Sequence, residues 1–579
     1  MDVPKWKYEK NFEGLFFLAQ RMQEIVFDYT LDTFKAPALN SSAICFEAIQ
    51  IIGEIEENKM RVNTLQPILD ELKWKLQNDL VTKSILKDDL NLYINFPDLI
   101  KYKDIKLKLE LLYLKISNEK YIRKCEELLI ELVPKNTEKR DIDKIATNYI
   151  SALLEIGYSQ GYIFKMITEF FFYPVNVESV SNLTSFFKIF TAKKKKFTVY
   201  FTGSVIFKEI SSTAANYQLK IIDAFELSKE DECQQLKKYF PLNYDDVYIK
   251  ASDIVAYDAL AARNISFALI NKVSKLFVFY HHKEHPEWSN DVFVIDKDGQ
   301  GSIVKEPTSP MKKNKDLKPI KAAYKLQETL SVFKLEKRSF KRFNRAIDLH
   351  GLSIENNNTE NQLLQNWIAL ETLLVENENN SKIDQVINSL LPFLSYKYIE
   401  NQFLYVLQDV SRFDKFGLLK ILKTVEKGTN VIEKFMMSIV LPEYKEHGMK
   451  ILGLLEENPL LRFRIFLFNK YFSSPKEIQN YLKTHQQKVV WQIKRIYRTR
   501  NQIVHSGRSP RFLAILVENS HVYLDKLLET IIHLQVDEKQ IEKIEHAVAE
   551  IAIRTGNQST KLKAMKEKVI SYDDFKVIF

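Results

Sequence analysis

Cysteine is almost missing from this chain: Cys45, Cys125 and Cys233 are the only three in 579 residues. They lie too far apart for a metal-binding spacing or a disulfide framework, so a reduced, cytoplasmic protein is expected. Glycine (14) and proline (16) are also sparse. That argues against an all-β or disordered chain and leaves helices as the dominant expectation. No apolar run approaches the roughly 18 residues of a membrane span, so no membrane partner is expected. The stretch Phe435 to Pro442 is too short and reads as core. The N-terminus, MDVPKWKYEKNFEG, is too polar for a signal peptide. There is no Gly-x-x-x-x-Gly-Lys-Ser/Thr loop to cradle a nucleotide phosphate. No cofactor and no metal site are expected.

Hydrophobic residues make up 45% of the chain, enough for globular cores, and the length calls for two to four of them. The charge balance, 84 basic against 75 acidic residues, is a mild excess of +9. It permits a nucleic-acid partner without demanding one. Its distribution says more: between residues 481 and 512 there are eight Lys or Arg and no Asp or Glu. This is either a solvated helix face or a surface that attracts phosphate.

The expected class is mainly α, in three parts. Residues 1–190 read as a helical region, with helices near 12–29, 43–55, 66–80, 104–116, 118–132, 141–155 and 161–172. Ile44, Phe46, Ile49 and Ile52 are its candidate core residues, and the pairs Glu56-Glu57 and Glu126-Glu127 read as solvent-facing. Residues 191–315 read as a mixed α/β module suited to sensing or regulation. Strands are expected at 197–207, 217–222, 246–249, 275–280 and 291–295, with a helix over 252–268. The run Lys193 to Lys196 reads as a solvated turn before the first strand. His281, His282 and His285 read as a loop after a strand, because the order lacks the His-Glu-x-x-His of a zinc protease. Asp296-Lys297-Asp298-Gly299 reads as a hairpin turn. Pro307 stands where a calcium loop would need its bidentate glutamate.

The Pro- and Lys-rich stretch 306–315 is the best boundary, and residues 316–579 return to helices. A basic run, Lys337 to Arg345, is either a second RNA patch or an exposed helix side. The helix near 383–391 should stop at Pro392. Separate helices are expected at 400–407 and 418–425. Ser473 and Pro475 fit the start of a long helix.

That long helix carries WQIKRIYRTRNQIVHSG, Trp491 to Gly507. Val489, Ile493, Ile496 and Ile503 keep one apolar face. Arg500 interrupts it, so it must snorkel, pair, or point into a cleft or a subunit interface. Arg500-Asn501-x-x-x-His505 resembles the Arg-x4-6-His signature of the HEPN ribonucleases. Leu363 to Leu374 (LLQNWIALETLL) resembles an early helix of the ApeA-like branch of bacterial anti-phage defence proteins. The resemblance covers only the part after about residue 335. It implies a C-terminal HEPN-like helical bundle and an endoribonuclease, a hydrolase acting as an antiviral, toxin-like effector of abortive infection. It also implies a homodimer or higher even-numbered assembly and a phage-derived trigger. In the Ala369-Leu370-Glu371 context it implies that Glu371 supports an active-site arginine. The alternative is a non-catalytic RNA-binding or regulatory protein of the same family.

The residues fit such chemistry directly. RNA carries its own nucleophile, the 2′-OH, so strand cleavage needs proton transfer and a cation for the growing phosphate charge rather than a metal. The products are a 2′,3′-cyclic phosphate and a 5′-hydroxyl. His505 is the proton-transfer candidate, Arg500 the phosphate-charge candidate, and Asn501 an orienting group. Lys494, Arg495, Arg498 and Arg508 are the candidate RNA-binding bases, for an RNA such as tRNA or mRNA. Arg500 and His505 lie about 140° apart on an ideal helix, so a complete site calls for two chains or an unwound helix end.

Overall fold

The computed structural model describes residues 10–35, 37–173, 182–191, 193–223, 231–243, 246–313, 316–376, 381–538, 541–565 and 569–579. The protein is largely helical, with one five-stranded open sheet between helical regions. Among the described residues no helix is long and apolar enough to cross a membrane.

The N-terminal helices build two cores. Helix Glu13–Val26 is sheathed on all sides and joins Tyr121, Tyr149, Phe171 and Phe186 in the first. Leu460 and Phe463, from helix Pro459–Tyr471, enter the same core and tie the two ends of the chain together. Helices Ser41–Glu56, Gln66–Asn78 and Tyr102–Ile116 enclose the second. Asp79 stands between the two and accepts from Ser41 Oγ at 2.6 Å, Tyr121 Oη at 2.6 Å, Thr82 Oγ1 at 2.7 Å and Asn148 Nδ2 at 3.0 Å. Three of the four expected core side chains of the second helix are at least half-buried. Phe46 is exposed and packs tilted against Tyr113. Glu56, Glu57 and Glu127 face solvent, whereas Glu126 is half-buried, and burial pushes its carboxyl up to about 7.

Strands β1 (Lys195–Ser204), β2 (Leu219–Ile222), β3 (Asp246–Ala256), β4 (Val292–Asp296) and β5 (Gly301–Val304) pair antiparallel in the order β2-β3-β1-β4-β5. Alternation along the strands makes two apolar faces. Val199, Phe201 and Ile249 meet helix Ala259–Tyr280, while Tyr200, Tyr248 and Phe293 meet Leu236 on the other side. The expected hairpin turn is present: Asp296 Oδ1 accepts from the backbone N–H groups of Asp298 and Gln300, and Gly299 takes a φ of +76°.

Two expectations fail here. The stretch 252–268 is not one helix, because β3 runs on to Ala256 before the helix begins at Ala259. The segment 275–280, KLFVFY, is not a strand; it is the end of that same helix. Asp258 caps the helix by accepting from Ala261 N at 2.8 Å, and Ala262, Ile270 and Val273 bury one face. Propagation from a capped, packed start outweighs the β preference of a short run that ends in exposed Phe279 and Tyr280. His281, His282 and His285 therefore follow a helix, and all three are exposed.

The C-terminal helices also build two cores. One holds Trp367, Leu390, Ile493, Ile496, Leu524 and Ile551; the other holds Phe403, Phe435, Phe468, Ile478 and Phe575. Pro392 does not end its helix, which runs Lys382–Ser395. The lost N–H falls in the final turn, where Ser395 Oγ donates to the Leu391 carbonyl at 2.9 Å. The helices expected at 400–407 and 418–425 are joined as Tyr398–Lys423 across a kink at Asp414, whose Oδ1 accepts from Gly417 N at 2.8 Å. In the basic run, Arg338, Lys341 and Arg345 are exposed. Arg342 is tied down by the carbonyls of Thr372 and Leu373 and by Glu545.

Candidate active site

The motif sits near the end of helix Pro475–Ser506, 32 residues long. Ser474, extended at the N-cap, accepts from Glu477 N, and Pro475 takes the first turn, where its missing N–H costs nothing. The helix stays regular through His505 and stops at Gly507, whose φ of +60° suits a residue without a side chain. His505 is thus still helical, and the unwound end that would turn it towards Arg500 of the same chain is not present.

At 100° per residue the helix presents three stripes. Val489, Ile493 and Ile496 are buried in the C-terminal core, with Ile503 half-buried beside them. Trp491, Arg495, Arg498 and Gln502 form a second stripe, at spacings of four, three and four, which meets the N-terminal region. Trp491 lies 5.7 Å from Trp74, ring centre to ring centre, and Gln502 Nε2 donates to Glu54 Oε1 at 3.0 Å. Arg495 Nη2 stands 2.5 Å from Glu71 Oε2 and 3.1 Å from Glu47 Oε2, and Arg498 Nη2 stands 2.5 Å from Glu47 Oε1. Burial alone would push the Glu47 carboxyl up. Arg495 and Arg498 outweigh it and hold the group down at about 2. Lys494, Asn501 and His505 fall on a third stripe, within about 40° of one another.

Two of the bases assigned to RNA are therefore not on a solvated face. Arg495 and Arg498 are buried, 2% and 6% exposed, and spend their charge on N-terminal carboxylates. Their partners lie 424 to 451 residues away in sequence, so nothing local to the motif announced them. Lys494 is half-buried and Arg508 is exposed. Arg508 adds the weakest of three effects, the strongest being the bond from Lys59, that hold the Glu57 carboxyl below its usual range.

Arg500 differs from both. It begins on the core stripe, half-buried, and its Nη1 donates to Asn501 Oδ1 at 3.0 Å. Asn501 lies between Arg500 and His505 around the helix, so this bond draws the guanidinium towards the stripe of the exposed His505. Among the described residues no carboxylate pairs with Arg500, and its buried Nε has no acceptor. Glu371 is half-buried on helix Thr359–Leu374, which packs against the motif helix through Trp367 and Tyr497, 5.3 Å apart; no described ion pair joins Glu371 to Arg500. The motif is a surface feature. A cavity of about 140 Å³, lined by Phe27, Phe34, Phe164 and Tyr405 among others, contains none of its residues.

Sequence reasoning missed one cluster altogether. His350, His521 and Asp525 converge in the C-terminal bundle, their ligand atoms all within 4.8 Å of one another. The i, i+4 spacing of His521 and Asp525 was a local signal for a shared helix face. His350 lies 171 residues from His521, beyond any local pattern.

Comparison with protein-family models, with curated proteins and with solved structures finds no match to this chain.

Proposed function

We propose that the protein is a HEPN-like endoribonuclease of the ApeA-like kind, cleaving RNA by 2′-OH attack without a catalytic metal. Arg500 stabilises the charge growing on the phosphate, and His505 transfers the proton. One observation carries the reading. Of the three arginines at 495, 498 and 500, Arg500 alone has no carboxylate partner among the described residues, and it is steered by Asn501 towards an exposed histidine. A guanidinium left unneutralised is suited to a phosphate. The binding-only reading draws less support, because Arg495 and Arg498 already neutralise N-terminal carboxylates.

Within one regular helix Arg500 and His505 diverge by about 140°. The working site therefore takes residues from two chains related by a two-fold axis. The N-terminal region, bound to the helix through Glu47, Glu54 and Glu71, acts as a restraint on the site, and a phage-derived trigger in the cytoplasm releases it.

The test is substitution followed by mixing. His505→Ala is expected to lose at least about 10²-fold in cleavage while still binding RNA, the usual loss for a general acid–base group. Arg500→Ala should lose cleavage and some binding. A mixture of the two variants should recover part of the activity if the site is shared, and light scattering should give at least twice 68.1 kDa. Undiminished cleavage by His505→Ala, in a preparation free of other nucleases, would sink the mechanism.

A further inference from the structure

The cluster missed by sequence reasoning has a geometry that the protons of its two imidazoles cannot satisfy beside a carboxylate. His350 Nε2 lies 2.9 Å from Asp525 Oδ1 and 3.1 Å from His521 Nε2, and His521 Nε2 lies 3.2 Å from Asp525 Oδ2. Each ring nitrogen thus faces two other polar atoms. An imidazole nitrogen offers one in-plane site, either an N–H or a lone pair. With both nitrogens protonated, two N–H groups confront each other across the 3.1 Å gap. With only one protonated, a bare lone pair faces a carboxylate oxygen. With neither protonated, all three atoms are acceptors facing inwards. With Asp525 as the carboxylate, every proton count on the two imidazoles leaves at least one repulsive contact, and a cation at the centre relieves all of them.

The dimensions match that solution. Ligands about 2.0–2.1 Å from a tetrahedral ion lie about 3.3 Å apart; the two ring nitrogens stand 3.1 Å apart, and with one Asp525 oxygen the three ligand atoms lie within 4.8 Å of one another. Two imidazoles and one carboxylate are a common zinc donor set. His521 is buried, with its side chain 5% exposed, which fixes one ligand firmly. The side chains of His350 and Asp525 are 21% and 30% exposed, which leaves an open side for a water or a fourth ligand. Asp316 adds a negative charge close enough to act on His521.

We propose that His350, His521 and Asp525 form a binding site for a divalent transition-metal ion of the zinc class. The ion clamps helix Lys337–Glu355 to helix Leu513–Glu538 inside the bundle that carries Arg500. Its role is structural, and it is independent of the cleavage mechanism proposed above. Binding free energy at such a site adds to the stability of the fold that assembles it.

The test uses the full chain, stripped with EDTA and dialysed. Cobalt(II), a spectroscopic stand-in for zinc, is expected to bind at one ion per chain and give the intense visible absorption of a tetrahedral site; zinc should displace it and raise the melting temperature. Asp525→Asn and, separately, His350→Ala should weaken binding by at least about 10²-fold and abolish the zinc-dependent rise, with an unchanged far-ultraviolet circular dichroism spectrum. Both residues are partly exposed, so these variants are chosen over the buried His521. A triple alanine variant of His281, His282 and His285 should bind as the parent does. Absence of cobalt absorption and of zinc binding in the parent would overturn the proposal. So would parental binding in Asp525→Asn and His350→Ala, or loss of binding confined to the triple variant.

Discussion

Replacing Glu47 with glutamine removes a negative charge from between two buried guanidiniums. The size of the effect follows from the geometry. Burial opposes the charged form of Glu47, yet Arg495 and Arg498 bring its carboxyl from 4.5 to about 2. At about 1.4 kcal/mol per pH unit, that depression amounts to about 3 kcal/mol of folded-state preference for the charged form. Breaking a buried ion pair by removing one partner costs about 3–5 kcal/mol, so the two routes agree. Arg495 keeps Glu71, but Arg498 loses the carboxylate that holds it. The loss should be local, at the seam between helix Ser41–Glu56 and the motif helix. Hydrogen exchange read by mass spectrometry over 41–56 and 486–508 is the fitting assay. Exchange there should speed up by about 10²-fold in Glu47→Gln, the factor that 3 kcal/mol implies. In the parent, the sign is that of a depressed carboxylate: the contribution is complete above pH 4.5 and is lost as pH falls towards 2. Glu56→Gln is the control; its pair with Lys106 is about one-third exposed and should matter by less than about 1 kcal/mol. Exchange over both segments within twofold of the parent would refute the buried-clamp argument.

Burial holds the His485 imidazole, stacked on Tyr398, down at about 4 against an ordinary 6.5. The unfolded chain therefore takes up this proton first, and up to about 3 kcal/mol of stability should be lost between pH 6.5 and 4; a His485→Gln variant with an unchanged slope in denaturant melts across that window would contradict this. Asp79→Ala strands four side-chain donors, from Ser41, Thr82, Tyr121 and Asn148, and should cost about 3–5 kcal/mol by chemical denaturation; a loss under about 1 kcal/mol would show that those donors find other acceptors. RNA cleavage at room temperature should survive excess EDTA, since the proposed chemistry uses the 2′-OH of RNA itself. Loss of cleavage with rescue by one divalent ion, in a chain whose circular dichroism and assembly the chelator leaves unchanged, would move the metal into the reaction.

Local patterns carried the helices well. The helix Asn118–Leu132 has the bounds its apolar spacing implies, and Pro475 opens the motif helix as expected, although its N-cap is Ser474 and not the expected Ser473. The hairpin at Asp296 was legible for the same reason: it is a turn made by its own residues. What failed was whatever a distant partner decides. The KLFVFY run is helical because a cap at Asp258, some seventeen residues upstream, starts the helix that swallows it. The apolar stripe through Ile493 and Ile496 was visible, but Arg495 and Arg498, on the stripe they share with Trp491 and Gln502, read as RNA-binding bases. Its meaning lies with Glu47, Glu54 and Glu71, at the other end of the chain. The triad of His350, His521 and Asp525 was hidden in the same way.

The motif helix is anchored twice: Ile478 near its start belongs to one C-terminal core, and Ile493 and Ile496 belong to the other. At 1.5 Å per residue its 32 residues make a rod of about 48 Å. Such a rod, pivoted near Ile478, would act as a lever. A tilt of about 5° there would sweep His505 through about 3.5 Å, about the reach of a hydrogen bond. A rearrangement among Phe403, Phe472, Phe575 and Phe579 that tilted the rod would be felt at His505, with which they share no core.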